Sequence, residues 1–352
     1  INIIIKKLYF NLHVPQVQER NDMNLHNDRD SFIVLIEDVQ ARTGYRADVI
    51  EKDYYVVMLL KELANKQNGG LQAYFKGGTA LYKALNTTNR FSEDIDISVD
   101  TRGCSRSQNE KRLENATKKY VSLPRDSSQG STNRSEVIAV YTYAPIVMYD
   151  QNDMLQRFGK VKVEATSFTI SEPVEDLEIA PILYNKATEE QRHLLIGIYD
   201  VKPFNIKAIS LERIFIDKLF AAEAYTRKAS KGQNAFDAAK HIYDLAVLST
   251  KPRILELLSN VEQMGRLLEI RLTEEYERLD GIPGILPNQF MFFEDAEKNS
   301  DIHKAYDIMQ HQYVFSLSDR VEFDYAMKVL NRMREALRKN EGWTLCKKPE
   351  IT

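Results

Sequence analysis

The spacing of apolar residues changes along the chain, and its first regular pattern is helical. Four apolar residues recur at i, i+3, i+4 and i+7, the spacing of an amphipathic helix: Phe32, Leu35, Ile36 and Val39. Gly44 follows this stripe and is expected to end the helix. The pattern starts only after Met23 in a chain that begins with Ile1, so residues 1–22 are predicted to precede the natural start.

A second helix is predicted directly after the first. Asp48, with Glu51 three residues later, is typical of a helix N-terminus, where the aspartate would be the N-cap. The helix should end before the sequence Asn68-Gly69-Gly70. Its apolar stripe consists of Val49, Val56, Val57, Leu60 and Leu63.

Beyond the second helix the period shortens to two. A short strand is predicted over residues 71–75, and the glycines after it turn the chain into a helix over residues 80–85. In the next strand, residues 94–100, apolar residues alternate with Asp94, Asp96 and Ser98. Alternate residues of a strand share a face, so Asp94 and Asp96 should project from the same side of the sheet.

Two further strands are predicted over residues 137–143 and 161–168, and in the second Glu164 lies on the polar face. After Pro203 the spacing becomes helical. We therefore predict an α+β fold: a small mixed sheet flanked by helices over residues 23–204, and a helical C-terminal domain over residues 205–352.

Composition narrows the class of protein. The 352 residues are 43% hydrophobic and 28% charged, with a net charge of −3, which is ordinary for a folded globular protein and gives no global sign of a polyanionic partner. The two cysteines are too far apart in sequence for a metal motif or a disulfide framework. No apolar run is long enough to span a membrane. A cytoplasmic protein without a membrane partner is expected.

One segment departs from that composition. Residues 101–134 carry eight basic and three acidic side chains and few apolar ones, which indicates a long, partly helical, mobile insertion. It could follow an RNA backbone or could simply be a solvated loop. Its basic residues are Arg102, Arg106, Lys111, Arg112, Lys118, Lys119, Arg125 and Arg134.

The candidate chemistry combines a glycine turn with paired carboxylates. Gly77, Gly78 and Thr79 lie between a strand and a helix, where glycine permits close approach of a phosphate and the helix N-terminus offers backbone N–H groups. Asp94 and Asp96 would repel each other unless a cation neutralises them, and carboxylates on one face suit Mg²⁺. Taken singly, the first motif could be an ordinary turn and the second a solvated face.

Together these motifs resemble the minimal nucleotidyltransferases of the polymerase-β type, in which a neighbouring strand adds a third carboxylate. Glu164 has the right strand parity for that position. It could instead be an edge carboxylate paired with Lys160 or Lys162.

The resemblance narrows to the AbiEii nucleotidyltransferase toxins of type IV toxin–antitoxin and abortive-infection modules, and covers about residues 23–250. The motifs that carry it are IEKDYY at residues 50–55, FKGGTAL at 75–81, RFSEDID at 90–96, LERIFIDKL at 211–219 and HIYDL at 241–245.

The resemblance implies a site and a reaction. It implies that Asp94, Asp96, Lys218 and Asp244 are catalytic, with Asp244 fixing Lys218 or helping to deprotonate the acceptor. Two Mg²⁺ ions would be held by Asp94, Asp96 and Glu164. A nucleoside triphosphate, the substrate, would be bound by Gly77, Gly78, Thr79, Arg90, Ser92 and Lys218.

The same resemblance implies two macromolecular partners. The acceptor would be RNA, particularly the 3′ end of tRNA, or a protein hydroxyl, and a cognate antitoxin would bind the enzyme. His241 stands where many relatives have an acid, so at most an orienting role is expected for it. By helical spacing, Asp237, His241 and Asp244 could also form a zinc site.

Two other functions compete with this one. The chain could be a non-catalytic module that binds RNA or a nucleotide, although the presence of Asp94, Asp96 and Lys218 argues against it. It could also be a transferase that modifies a protein or a small molecule.

Overall fold

The structure is a computed structural model that describes residues 24–149, 158–229, 233–277 and 287–339. The predicted pre-start segment, residues 1–22, lies outside these ranges. The strands are β1 (Ala73–Lys76), β2 (Ile95–Val99), β3 (Arg125–Thr132), β4 (Glu136–Thr142), β5 (Lys160–Thr166), β6 (Val174–Ile179) and β7 (Phe204–Ile209).

The α-helices divide into an N-terminal and a C-terminal group. The first group is α1 (Arg29–Thr43), α2 (Ala47–Asn68), α3 (Gly77–Lys83), α4 (Arg106–Thr117), α5 (Ile182–Asn185) and α6 (Glu189–Tyr199). The second group is α7 (Leu211–Arg227), α8 (Gln233–Leu248), α9 (Pro252–Ser259), α10 (Val261–Glu277), α11 (Phe292–Lys298), α12 (Ser300–Tyr313) and α13 (Phe323–Lys339).

The strands form one mixed sheet in the order β3-β4-β5-β2-β1-β7-β6. Two neighbouring pairs, β2 with β5 and β1 with β7, are parallel, and the other pairs are antiparallel. The prediction of an α+β fold with a mixed sheet and a helical C-terminal region is confirmed. None of the helices in the described ranges is long and apolar enough to cross a membrane.

The two N-terminal helices follow their hydrophobic pattern but not every predicted end. Helix α1 ends at Gly44, whose φ of 72° is the left-handed conformation that glycine adopts without strain. All five apolar residues of the predicted α2 stripe are buried. The prediction of Asp48 as the N-cap of α2 was wrong. The cap position is Arg46, and its guanidinium lies 2.6 Å from the Asp48 carboxylate in the first turn.

The basic segment, residues 101–134, contains more structure than its composition indicates. Its predicted helical part is α4, which packs against β4 and β5 and buries Leu113. The remainder includes the edge strand β3, which the sequence did not predict. Its residues RDSSQGST are almost all exposed and give no alternating apolar signal, so only pairing with β4 defines the strand.

The boundary predicted near residue 205, between the α/β part and the helical C-terminal domain, falls inside a strand. β7 begins at Phe204 and lies between β1 and the edge strand β6. The helical region therefore starts at Leu211, after Ser210 caps α7 by accepting a hydrogen bond from the backbone N–H of Arg213. Helix α8 packs on α7 and α12 and forms the centre of this region.

The helical region is tied to the loop that precedes the two aspartates. The backbone N–H of Phe91 donates to the carbonyl oxygen of Tyr313 at 2.8 Å, and that of Phe315 donates to Asn89 at 3.0 Å. These bonds fix the loop between α3 and β2 against the end of α12. As a result, side chains from the sheet and from the helices face one cavity.

Candidate active site

Three carboxylates lie at one position of the sheet. Asp96 on β2 is the register partner of Glu164 on the parallel strand β5, and Asp94 immediately precedes β2. On the other face of β2, Ile95 and Ile97 are fully buried. The predicted strand parity of Asp94, Asp96 and Glu164 is confirmed.

Lys162 lies among these carboxylates. Its Nζ is 3.2 Å from Oδ2 of Asp94 and 3.3 Å from Oε2 of Glu164. The pairing of Glu164 with Lys162, an alternative that the sequence left open, is therefore present. Burial would lower the pKa of Lys162, but the negative charges of Asp94 and Glu164 raise it above its usual value.

Asp96 is the carboxylate least able to carry its charge. Burial, and then the nearby charge of Glu164, raise its pKa to about 6, although Lys162 opposes the shift. A carboxylate that is buried beside like charges is stabilised by any cation that reaches it. This position therefore favours binding of a cation.

The donor set fits Mg²⁺ in its chemistry but not yet in its arrangement. Three carboxylates on two adjacent strands supply the hard oxygen ligands that Mg²⁺ requires. As the described side chains stand, no three Asp, Glu, His or Cys residues are placed to hold a metal ion together. The Lys162 ammonium lies between two of the carboxylates and supplies the positive charge there.

The two glycines of the turn make room for side chains of the site itself. Gly77 has a φ of 79°, and a Cβ at this position would lie 2.0 Å from Oδ2 of Asp96. A Cβ on Gly78 would lie 2.9 Å from Oγ of Ser92 and 3.0 Å from Nη2 of Arg90. Close approach of a phosphate is not needed to explain glycine here, because Asp96, Ser92 and Arg90 already require it.

The side chain of Thr79 makes its hydrogen bond to the protein backbone. It is fully buried, and its hydroxyl donates to the backbone oxygen of Asp94 at 2.5 Å. This bond links α3 to the residue that begins the Asp-x-Asp motif. The Thr79 side chain therefore positions Asp94, and the nucleotide contact expected of Thr79 stays a prediction.

A second charged cluster lies where α7 and α8 meet the loop before β2. Asp244 is fully buried and accepts hydrogen bonds from Nε and Nη2 of Arg90 at 3.0 and 2.8 Å. Nζ of Lys218 lies 2.9 Å from the same carboxylate. Burial would raise the pKa of Asp244, but the charges of Arg90 and Lys218 hold it well below its usual value.

This geometry separates the two roles predicted for Asp244. A carboxylate with a lowered pKa, bonded to a guanidinium and an ammonium, is a weak base. Fixing Lys218 is therefore favoured over deprotonation of the acceptor. Arg90 is 3% exposed and directs most of its donors to Asp244 and to the backbone oxygen of Phe91.

One cavity of about 880 Å³ brings most of these groups together. Its lining includes Gly78, Arg90, Ser92, Asp94, Asp96, Glu164 and Lys218. Three predicted site residues are not part of this lining: Gly77, which is half-buried, and Thr79 and Asp244, which are fully buried. The volume is typical of sites for small molecules and cofactors.

The comparison with protein families decides what kind of protein this is. The family model of the nucleotidyl transferase AbiEii toxin of type IV toxin–antitoxin systems matches residues 59–337. The chain belongs to the AbiEii family. The match extends beyond the predicted limit near residue 250 into the C-terminal helices and starts after the motif at residues 50–55.

Two solved structures from Helicobacter pylori are similar to this AbiEii-family chain. One is JHP933, with 14% identity and a TM-score of 0.39 over 84% of this chain and 94% of that one. The other is described as a candidate nucleotidyltransferase, with 15% identity and a TM-score of 0.38 over 83% of this chain and 95% of that one. No curated protein has a significant match.

Sequence reasoning missed several residues of this AbiEii-family site. Lys52 on α2 and Glu93 also line the cavity. Lys76 precedes the glycine turn, and its Nζ donates to the Thr166 hydroxyl at 3.1 Å. Burial lowers the pKa of Lys76, although Asp217 and Asp96 oppose the shift. The available signal was position, since Lys52 and Lys76 both lie within the sequence motifs on which the resemblance rests.

The zinc site considered from the spacing on α8 is wrong. Asp237 pairs with Lys240 at 2.8 Å, and Asp244 turns to Arg90 and Lys218. His241 instead stacks on Tyr225 of α7, with ring centroids 5.4 Å apart and planes inclined by 17°. The three residues that share a helix face therefore have separate partners.

Proposed function

We propose that this AbiEii-family nucleotidyltransferase transfers a nucleoside monophosphate from a nucleoside triphosphate to a hydroxyl of RNA, most specifically the 3′ end of tRNA. In this reaction the acceptor hydroxyl loses its proton to water as its oxygen bonds to the α-phosphorus, the bond from that phosphorus to the leaving oxygen breaks, and pyrophosphate departs. One observation carries the proposal. Asp94, Asp96 and Glu164 face the same cavity as Lys218.

Asp94, Asp96 and Glu164 would hold Mg²⁺, two ions in all. When bound, these ions would activate the acceptor hydroxyl and screen the triphosphate. The protein's contribution is to concentrate three carboxylates, one with a pKa raised to about 6, where a cation relieves their repulsion.

Lys218 would stabilise the charge that develops on the leaving pyrophosphate. The Asp244 carboxylate lies 2.9 Å from the Lys218 ammonium and keeps it in position. The Lys218 side chain therefore needs little reorganisation to contact the phosphates. Gly78 and Ser92 lie on the cavity surface nearby and would contact the same phosphates, with Arg90 behind them.

The cavity, rather than the basic segment, supports an RNA acceptor. Five lysines line it beside five carboxylates, and their ammonium groups suit a polyanionic substrate: Lys52, Lys160, Lys162, Lys218 and Lys240. Ion pairs within the protein engage Lys162, Lys218 and Lys240 as well as several basic residues of segment 101–134, but the basic residues of that segment do not line the cavity. Arg102 pairs with Asp100 and Glu172, and Arg106 pairs with Glu110. The part of that segment that lines the cavity is polar, residues 129–131 of β3.

Family membership supports the remaining parts of the proposal. In a type IV toxin–antitoxin module the enzyme would act as a toxin in the cytoplasm, and a cognate antitoxin would be its protein partner. Unchecked modification of tRNA ends would arrest growth, because an uncharged tRNA cannot support translation.

The test is a labelling experiment. Purified protein is incubated with Mg²⁺, total RNA and each of the four nucleoside triphosphates labelled at the α-phosphate. We expect label in a band of tRNA size, and none with Asp94→Asn. Label in the protein fraction alone would replace the RNA acceptor by a protein hydroxyl. Bound but untransferred nucleotide would favour the non-catalytic module.

A further inference from the structure

The two sides of the cavity differ in chemistry. The sheet side presents carboxylates, lysines and the polar residues of β3. The helical side, from α7 and α8, presents aromatic and imidazole rings beside charged groups: Lys218, Tyr225, Phe236, Asp237, Lys240 and His241. Flat rings bind nucleobases by stacking.

His241 is the unusual member of this helical side. Its Nδ1 is buried and has no hydrogen-bond partner within the described residues. Burial, and then the charge of Lys218, hold its pKa well below the usual range. The imidazole is therefore neutral at pH 7, with one nitrogen that donates and one that accepts. A buried polar atom without a partner is costly unless a ligand or a water satisfies it.

His241 lies close to Lys218 and Asp244, where the phosphates of the nucleotide are proposed to bind. It lies three residues before Asp244 on α8, so its side chain is about one helical turn from the carboxylate that holds Arg90 and Lys218. The stack with Tyr225 of α7 fixes the plane of the imidazole. A nucleotide whose phosphates lie at Lys218 would therefore have its base beside these two rings.

We propose that His241 is the specificity-determining residue for the nucleobase of the incoming nucleoside triphosphate, with the ring of Tyr225 as its support. The inference rests on the proposed function, because it assumes that the phosphates lie at Lys218. The neutral imidazole hydrogen-bonds to the edge of the base, and the stack keeps it oriented. A site built to hydrogen-bond one base rejects bases that leave its polar atom unpaired.

The alternative ligand for this side is a base of the acceptor RNA. The aromatic residues favour the triphosphate, because they share α7 and α8 with Lys218 and the anchoring Asp244. The carboxylates and the polar β3 residues lie on the other side, where the acceptor hydroxyl must approach. An effect of His241 on the acceptor alone would therefore contradict the proposal.

The test measures equilibrium binding of ATP, GTP, CTP and UTP separately by calorimetry, with Mg²⁺ and without RNA, so that no transfer occurs. We expect the wild type to prefer one of the four by at least about tenfold. His241→Ala should bring the four Kd values to within about threefold of one another. Either His241→Asn or His241→Gln should restore part of the preference, since each returns an amide near one ring nitrogen.

Two further variants separate stacking from hydrogen bonding. Tyr225→Phe keeps the ring and should keep the preference, whereas Tyr225→Ala should weaken binding of all four nucleotides. His193→Ala, an exposed histidine of α6, is the matched control and should behave as the wild type. Circular dichroism confirms that each variant is folded. If His241→Ala alone fails to fold, the Asn and Gln variants carry the comparison.

Three results would overturn the inference: a wild type that binds all four nucleotides equally, a His241→Ala protein with the wild-type order and ratios, or a change confined to the KM for RNA. Failure of the proposed function looks different. Nucleotide preference that depends on His241, without transfer to any acceptor, would leave the inference standing and remove the transferase reaction.

Discussion

Two charged clusters of opposite electrostatic design lie at the cavity: the one around Asp244 is buried, whereas the one on the sheet is only half-buried. Around Asp244, one carboxylate has two cations within 3.0 Å, Arg90 and Lys218. At the sheet, Lys162 pairs with Asp94 and Glu164, and Asp96 is the register partner of Glu164. The pKa of Asp244 is lowered, whereas that of Asp96 is raised to about 6.

The difference shows which cluster is charge-compensated by the protein's own side chains and which one needs a bound cation. The negative charge of Asp244 is fully compensated by Arg90 and Lys218, with one positive charge left over, so Asp244 holds Lys218 in place without a bound ion. The sheet cluster, Asp94, Asp96 and Glu164, keeps an excess of negative charge that a bound cation would relieve. We expect substitutions in the first cluster to affect stability most, and substitutions in the second to affect chemistry most.

The largest effect is expected from Asp96→Asn. Removal of this ligand should reduce nucleotidyl transfer by about 10³-fold or more, because both the cation and the geometry of the acceptor depend on it. The thermal midpoint should stay equal or rise, since a repelling charge is lost. Transfer rates and thermal unfolding check the two parts. A rate within tenfold of the wild type would contradict the role of Asp96.

Asp244→Asn should lower the stability of the fold, in contrast to Asp96→Asn. It leaves Arg90 and Lys218 buried without their counter-charge, and breaking a buried ion pair in this way costs about 3–5 kcal/mol. Chemical denaturation of this variant beside Asp96→Asn measures the contrast directly. Equal stability of the two variants would show that the clusters do not differ as described.

Lys218→Ala removes the ammonium group that Asp244 holds in place. We expect kcat to fall about 100-fold with a smaller change in KM, because the ammonium is matched to charge that appears on the leaving pyrophosphate. Steady-state kinetics with the labelled triphosphate check this. A raised KM with unchanged kcat would mean that Lys218 binds only the ground state.

The pH dependence of stability should reveal the strained carboxylate. The pKa of Asp96 is raised in the folded protein, so its stabilising contribution is complete below the unfolded value of about 4 and is lost as pH rises through about 6. The free energy of unfolding should therefore fall across this interval, by at most about 3 kcal/mol. Asp96→Asn should remove this component, and titration monitored by denaturant unfolding measures it.

The smallest effect is expected from Lys162→Met, which keeps the aliphatic stem and removes the ammonium. Without this internal cation, Asp94 and Glu164 should bind Mg²⁺ more tightly, by about threefold to tenfold. The Mg²⁺ concentration that gives half-maximal transfer reports the change, with Lys207→Met as the control, an exposed lysine of β7 outside the cavity lining. A lower affinity for Mg²⁺ in Lys162→Met than in the wild type would mean that Lys162 supports the binding of Mg²⁺ and does not compete with it.

The sequence predicted what depends on local periodicity. Alternation placed Asp94 and Asp96 on one face, and the same parity on the next strand placed Glu164 beside them, as the register shows. The stripe of α2 was found in the same way. In contrast, β3 carries no apolar alternation, and its existence depends on pairing with β4.

The parts that could not be predicted depend on contacts between distant segments. Arg90 and Asp244 are 154 residues apart, and nothing in either motif indicates that they pair. Lys162 reaches Asp94 only because β5 lies parallel to β2 in this register. The need for glycine at position 77 likewise comes from Asp96 on the neighbouring strand rather than from a ligand.

The most direct test of the account is binding of Mn²⁺, as a probe for Mg²⁺, measured by electron paramagnetic resonance without nucleotide. We predict that the wild type and Asp244→Asn bind the ion and that Asp96→Asn does not, since the excess negative charge belongs to the sheet cluster alone. Binding that survives Asp96→Asn, or that is lost in a folded Asp244→Asn, would contradict the central claim.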